Sequence, residues 1–70
     1  MKVTLQNSFG SCLVGLLDPV SYKMVKQVPN GSEGHTMAKT TMEMYVAVYV
    51  GGTQYMVNAA HVKELWNEAV

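Results

Sequence analysis

Few side chains in this 70-residue sequence are suited to catalysis or metal binding. The candidates are one cysteine and two histidines, Cys12, His35 and His61. A Cys–His pair can supply a thiolate nucleophile, and a zinc site needs about four Cys, His or carboxylate ligands. These three residues share no paired spacing, and Cys12 opens an apolar run typical of an inert, buried cysteine. We therefore expect no metal, no cofactor and no enzymatic activity.

The composition predicts one small domain, residues 1–70, without a strongly charged surface. Its hydrophobic fraction is 49%, its formal net charge is +0 and it has no arginine. The hydrophobic fraction excludes intrinsic disorder, and the charge argues against a nucleic-acid binder, which normally carries a basic face. The single cysteine forms no internal disulfide, and the start at Met1 lacks the pattern of a signal peptide. We expect a complete, cytoplasmic protein with no membrane-spanning segment.

The strongest structural pattern is a β-hairpin in the second half of the chain. Residues 41–50 are rich in Val and Tyr, and residues 53–57 resume that pattern after two glycines. Val and Tyr favour strands, and paired glycines suit a tight turn that needs positive φ at both central positions. The sequence therefore predicts strands at 41–50 and 53–57, with Val50 opposite Thr53.

The C-terminal residues have the pattern of an amphipathic helix. Asn58 is a favoured N-cap, and apolar residues recur at helical spacing after it. The pattern predicts a helix over 59–69 that packs Val62, Leu65 and Trp66 against the sheet. A histidine near the start of such a helix, such as His61, should resist protonation, because the helix dipole is positive there.

A second helix is predicted in the first half of the chain. Asp18-Pro19 is a typical helix start, and apolar spacing then favours a helix over 19–28. A strand is the alternative, because Val20, Tyr22 and Met24 also alternate along the segment.

The remaining segments complete an α+β fold with a small antiparallel sheet. We predict short strands at 2–6 and 12–17, a turn at 7–10 and a connecting loop at 29–40. Each half then contains two strands, an Asx cap and a helix. This order suggests a ββα-ββα pseudo-repeat.

The first strand carries the one resemblance to known proteins. Residues 3–9, V-T-L-Q-N-S-F, resemble the first strand of short, mostly uncharacterised proteins of bacteriophages and their hosts. Those proteins tend to end in a basic, Cys-containing tail, whereas this chain ends in a neutral-to-acidic segment. The resemblance implies no activity, and it favours a small accessory protein of a phage or mobile element.

The predicted hairpin has two apolar faces, although seventy residues can cover only one of them. The core should lie on the face that contains Val46, Val48, Val50, Tyr55 and Val57. The opposite face contains Tyr45, Ala47, Tyr49, Gln54 and Met56, with Glu43 beyond. Exposed aromatic and Met side chains mark interaction sites. The alternative is that the 29–40 loop, with Met37, folds over this face.

Two functions of different classes fit these features. The first is a small non-enzymatic regulator or inhibitor that binds another protein or itself as a homodimer. Its site would contain Tyr45, Tyr49 and Met56, with Gln54 and Glu43 at the rim. The alternative is single-stranded nucleic-acid binding by base stacking on the tyrosines, against which the five scattered lysines argue. The sequence does not identify the partner.

Overall fold

Six short strands form one antiparallel sheet. The computed structural model of the chain describes residues 1–37 and 44–69, with side chains as far as Trp66. The strands are β1 (Lys2–Leu5), β2 (Leu13–Leu17), β3 (Met24–Pro29), β4 (Ser32–His35), β5 (Tyr45–Val50) and β6 (Thr53–Asn58). They lie in the order β1-β4-β5-β6-β2-β3, and neighbouring strands are antiparallel throughout.

In this order β3 and β4 lie in opposite halves of the sheet, although they are consecutive in the chain. The sheet must therefore curl to bring the two strands together. Only Asn30 and Gly31 separate them. The Asn30 N–H donates to the Cys12 carbonyl at 3.0 Å, and the Gly31 N–H donates to the Leu5 carbonyl at 2.9 Å. Gly31 has a φ of 92°, a conformation that costs glycine little. The corner thus ties the two ends of the sheet together.

The core fills the concave side of the curled sheet. Side chains alternate between the two faces of each strand, and alternate residues are buried in β1, β2 and β5, with Val28 the one buried residue of β3 and Val57 that of β6. The buried apolar residues are Val3, Leu5, Val14, Leu16, Val28, Val46, Val48, Val57, Val62 and Leu65. The convex side of the sheet therefore points outward.

The predicted hairpin is present, and its register is confirmed. Val50 lies opposite Thr53, and Val46 lies opposite Val57. Gly51 and Gly52 both have positive φ, 60° and 82°, as a tight two-residue turn requires. The first strand begins at Tyr45 in the described residues, and the predicted start at 41–43 lies outside them.

The predicted α-helix over 59–69 is wrong. Two 3-10 helices, Ala59–His61 and Lys63–Ala69, occupy this segment, and extended Val62 between them bridges to Leu5. A 3-10 helix has about three residues per turn. The period is interrupted at extended Val62, which the bridge to Leu5 holds against the core; Leu65 is buried and Ala59 is partly buried on the same side.

Two details of that prediction are confirmed, and one is corrected. Asn58 caps the first 3-10 helix, and its side chain accepts from the Ala60 N–H at 2.9 Å. Val62 and Leu65 are buried as predicted. Trp66, by contrast, is 37% exposed and donates from its indole N–H to the Ala60 carbonyl. It lies over the C-terminal segment rather than in the core.

The predicted helix over 19–28 is also wrong. The strand alternative is correct only from Met24, where β3 begins, and Val20 and Tyr22 lie in the turn between β2 and β3. Asp18 begins a turn: its N–H donates to the Lys23 carbonyl, and its carbonyl accepts from the Tyr22 N–H. An Asp-Pro pair starts turns as readily as helices, and the β-branched residues that follow favour β3. The fold is therefore mostly β rather than α+β, and the ββα-ββα pseudo-repeat is absent because the described residues contain no α-helix.

Two further predictions need correction. The predicted loop at 29–40 contains β4, which pairs with β1 and β5. Cys12 is exposed rather than buried, because β2 begins only at Leu13. None of the described helical segments is long and apolar enough to cross a membrane.

Glycine at position 34 is required by the close approach of β4 to β5. A Cβ there would lie 2.7 Å from a Val48 methyl carbon and 3.1 Å from the Tyr49 carbonyl oxygen. We expect Gly34→Ala to lower the free energy of unfolding by about 2 kcal/mol, in the range of overpacked cores. Gly15→Ala is the matched control, because its nearest neighbour is the flexible Met24 thioether. Equal urea midpoints for the two variants would contradict this account of β4.

Two titratable residues of the C-terminal segment, Glu64 and His61, have lowered pKa values, and Glu64 also fastens the segment to β1. Glu64 accepts from the Thr4 N–H at 2.6 Å and from the Thr4 hydroxyl at 2.9 Å. Partial desolvation opposes ionisation of Glu64, but the two Thr4 hydrogen bonds outweigh it and hold its pKa below 4.5. Burial lowers the pKa of His61 below 6.5, and its Nε2 is buried without a hydrogen-bond partner in the described structure.

These two shifts predict that acid destabilises the fold in two steps. Both pKa values are lower in the folded state, so the unfolded state binds protons first and stability falls as pH falls. The His61 loss begins near its ordinary pKa of 6.5, and the Glu64 loss begins near 4.5. In the His61→Phe variant the melting temperature should therefore stay constant between about pH 7 and about pH 5, and the fall in melting temperature at lower pH should remain. An unchanged upper step in that variant would exclude His61 as its source.

Candidate functional site

The candidate site is the convex side of the β5–β6 hairpin. The strand register places Tyr45, Ala47, Tyr49, Gln54 and Met56 on that side, and we call this set the outward hairpin face. It is the face that the sequence predicted as the partner-binding site. The fifth predicted site residue, Glu43, lies outside the described residues.

The neighbouring strands extend the outward hairpin face in two rows. Ala47 lies opposite Met56, Met56 opposite Leu17, and Leu17 opposite Met24, which makes an apolar row across β5, β6, β2 and β3. A second, more polar row contains His35, Tyr49 and Gln54 across β4, β5 and β6.

Tyr49 is the most accessible aromatic side chain of the hairpin. It is 43% exposed, although its strand, β5, is one of the two central strands of the sheet. Its hydroxyl donates to the Gln54 Oε1 at 3.5 Å, a distance that makes for a weak hydrogen bond. The ring is therefore available to pack against a partner, and the hydroxyl can exchange Gln54 for a partner's acceptor.

Tyr45 and Met56 are half-buried, and part of the cover over Tyr45 comes from Tyr22. The Tyr22 and Tyr45 rings meet edge to face, with centroids 5.2 Å apart and an interplanar angle of 75°. Tyr22 belongs to the turn between β2 and β3 and has a φ of 61°. Left-handed backbone is unfavourable for a bulky side chain, so the turn holds this ring in place at a cost.

Sequence reasoning missed Tyr22, Met24 and His35 as parts of this surface. The first two were assigned to a helix and the third to a loop. Met24 had an available signal in the strand alternative, whereas Tyr22 had none, because it lies in the turn before β3 with a positive φ. His35 had no such signal, since β4 is short and contains a glycine.

Residues 29–37 do not cover the outward hairpin face. They form the end of β3, the corner and β4, which lies beside the hairpin in the same sheet. Met37, which was expected to fold over the face, is 79% exposed. The alternative of a covering loop is therefore wrong for this part of the segment, and residues 38–40 lie outside the described structure.

The charges around the site are unevenly paired. Lys2 and Glu33, on β1 and β4, form an ion pair at 3.2 Å. At the β3 side, Lys23 and Lys26 have no acidic side chain within ion-pair distance among the described residues. Both lysines belong to the β3 edge, but Lys26 lies opposite the buried Leu16, on the concave side, and Lys23 lies beside Asp18.

No group of three or more His, Cys, Asp or Glu side chains that could hold a metal occurs in the described part of the chain. In comparisons with protein-family models, curated proteins and solved structures, none matches this chain. Function must therefore be argued from the surface itself.

Proposed function

We propose that this protein is a small non-enzymatic regulator or inhibitor that binds another protein through the outward hairpin face. One observation carries the proposal. The core lies wholly on the concave side of the sheet, yet the convex side of the central hairpin carries tyrosine and methionine. Internal packing does not explain an exposed ring such as Tyr49. Tyrosine and methionine are enriched at protein interfaces.

The shape of the surface also suits a protein partner. Its apolar row crosses four strands, and the tyrosines stand beside that row. Aromatic side chains on rigid strands offer large contact areas at low entropic cost. The surface is less suited to single-stranded nucleic acid, because Tyr22 already packs edge-on against Tyr45 and the chain has no arginine.

We further propose a cytoplasmic setting and an accessory role. The exposed, unpaired Cys12 thiol suits a reducing compartment. The phage or mobile-element role depends only on the resemblance of residues 3–9. The partner is another protein or a second copy of the chain, and one experiment separates these two.

Tyr49→Glu tests the proposal, with Phe9→Glu as the matched control. Phe9 is 73% exposed in the β1–β2 turn, and its ring meets that of His61 in the C-terminal segment edge to face. We expect Tyr49→Glu, but not Phe9→Glu, to abolish capture of a protein from a lysate of the source cells and any self-association seen by sedimentation. A reduced sedimentation coefficient for Tyr49→Glu identifies a second copy as the partner. Equal behaviour of the two variants would exclude the outward hairpin face.

A further inference from the structure

The outer edge of β3 is a second element of the molecule that can bind a partner. β3 ends the strand order, and no other described strand pairs with its outer edge. An edge strand presents alternate main-chain N–H and C=O groups to its surroundings. Four of its six residues, Met24, Val25, Lys26 and Gln27, are exposed in succession.

The hydrogen bonds at the two ends of β3 show which main-chain groups are directed outward. Asn30 donates to Cys12 at one end, and Asp18 donates to Lys23 at the other. Bonding alternates along an antiparallel pair, and a register shift opposite Leu16 and Leu17 adds one residue to β3. The alternation therefore directs the N–H and C=O of Met24 and Gln27 away from β2.

The side chains along this edge are apolar and cationic. Met24 is 57% and Val25 is 59% exposed. Lys23 and Lys26 flank them, and neither forms an ion pair in the described structure, although Asp18 lies beside Lys23. Lys26 lies opposite buried Leu16, on the concave side of the edge, and Lys2 on the opposite edge strand is paired with Glu33. A second copy of β3 would bring four lysines together, and this repulsion disfavours self-pairing.

We propose that β3 binds an extended segment of the partner protein, rich in Asp or Glu and in apolar residues, as a seventh strand. This inference rests on the proposed function and deepens it, because it names the chemistry of the partner. Main-chain hydrogen bonds to Met24 and Gln27 provide the attachment, and the lysines select acidic side chains. Apolar side chains of the added strand continue the row that ends at Met24 on the outward side.

Selection from a displayed library of short random peptides tests the proposal. We expect the selected peptides to be enriched in Asp and Glu next to apolar residues. The double variant with Lys23→Glu and Lys26→Glu should bind a selected peptide about tenfold or more weakly than the wild type does. Added salt should weaken the affinity of the wild type for the same peptide. Lys63→Glu, which changes the same charge elsewhere, should leave the affinity unchanged.

Gln27→Pro tests the strand geometry separately. Its N–H is directed outward, so proline there removes a hydrogen bond to the peptide without removing one to β2. We expect loss of peptide binding with an unchanged melting temperature. Selection of peptides without acidic residues, or of none, would overturn the proposal, as would full binding to Gln27→Pro. Binding that Tyr49→Glu abolishes and Gln27→Pro spares would overturn the β3 site alone and leave the outward hairpin face intact.

Discussion

Leu65→Ala is expected to lower the free energy of unfolding by about 3 kcal/mol, in the range of buried Leu truncations. Leu65 is 1% exposed and belongs to the core, although it comes from the 3-10 segment that follows the sheet. A domain of this size has roughly 5 kcal/mol of stability in total. The variant should therefore keep about 2 kcal/mol of stability, so that it stays mostly folded at room temperature but unfolds at a much lower temperature or urea concentration.

Trp66→Ala is the informative comparison, because the sequence predicted that Trp66 packs against the sheet together with Leu65. It is 37% exposed, and its described polar contact is the hydrogen bond to the Ala60 carbonyl. We expect its loss to cost about 1–2 kcal/mol, less than Leu65→Ala. Urea unfolding followed by far-UV circular dichroism measures both. A larger loss for Trp66→Ala would mean that the segment packs as an amphipathic α-helix after all.

Tyr49→Ala is expected to weaken partner binding or dimerisation by about 2 kcal/mol, which is about 30-fold. Central aromatic side chains usually dominate the energy of an interface, and Tyr49 lies on the middle of the sheet with its ring accessible. Because that ring contributes little to the core, the unfolding free energy should change less than for a core residue.

Val48→Ala is the matched control, since Val48 is its neighbour in β5 and is fully buried. We expect Val48→Ala to lower stability by about 1–3 kcal/mol and, at temperatures where it stays folded, to bind with wild-type affinity. Isothermal titration measures the affinity of each variant for the partner, and thermal unfolding measures the stability of each variant. The reverse ranking, with Tyr49 needed for folding and Val48 for binding, would show that the convex side is a second core.

The hairpin could be predicted from the sequence because its signals are local and agree with one another. Val and Tyr, which favour strands, occur on both sides of the turn, and two glycines supply its positive φ values. Alternation then fixes which residues share a face. The predicted site residues Tyr45, Tyr49, Gln54 and Met56 follow from this register alone.

The two predicted helices failed because short segments with an Asx cap have ambiguous periodicity. After Asn58, apolar residues at intervals of three and four fit both an α-helix and a 3-10 helix, and the bridge from Val62 to Leu5 decides between them. After Asp18, pairing with β2 fixes an extended backbone. The bridge joins the two ends of the chain, so no local pattern contains it. The β2–β3 pairing joins consecutive strands, but the turn between them places its positive φ at Tyr22 rather than at a glycine or asparagine, so the usual turn signal is missing.

The wider surface was missed for the same reason. Tyr22 reaches Tyr45 only because the turn after β2 adopts a left-handed backbone at a tyrosine, which sequence rules assign to glycine or asparagine. His35 lies beside Tyr49 only because β4 pairs with β5 after the corner at Asn30 and Gly31.

The central claim is that the partner binds the convex side of the hairpin, and methyl cross-saturation in the complex tests it most directly. The partner's protons are saturated, and the loss of signal is read at methyl groups of alternating residues in β5 and β6. We predict strong loss at Ala47 and Met56, which point outward, and little loss at Val46, Val48 and Val57, which are buried. Equal loss in both sets, or loss confined to methyls away from the hairpin, would contradict the claim.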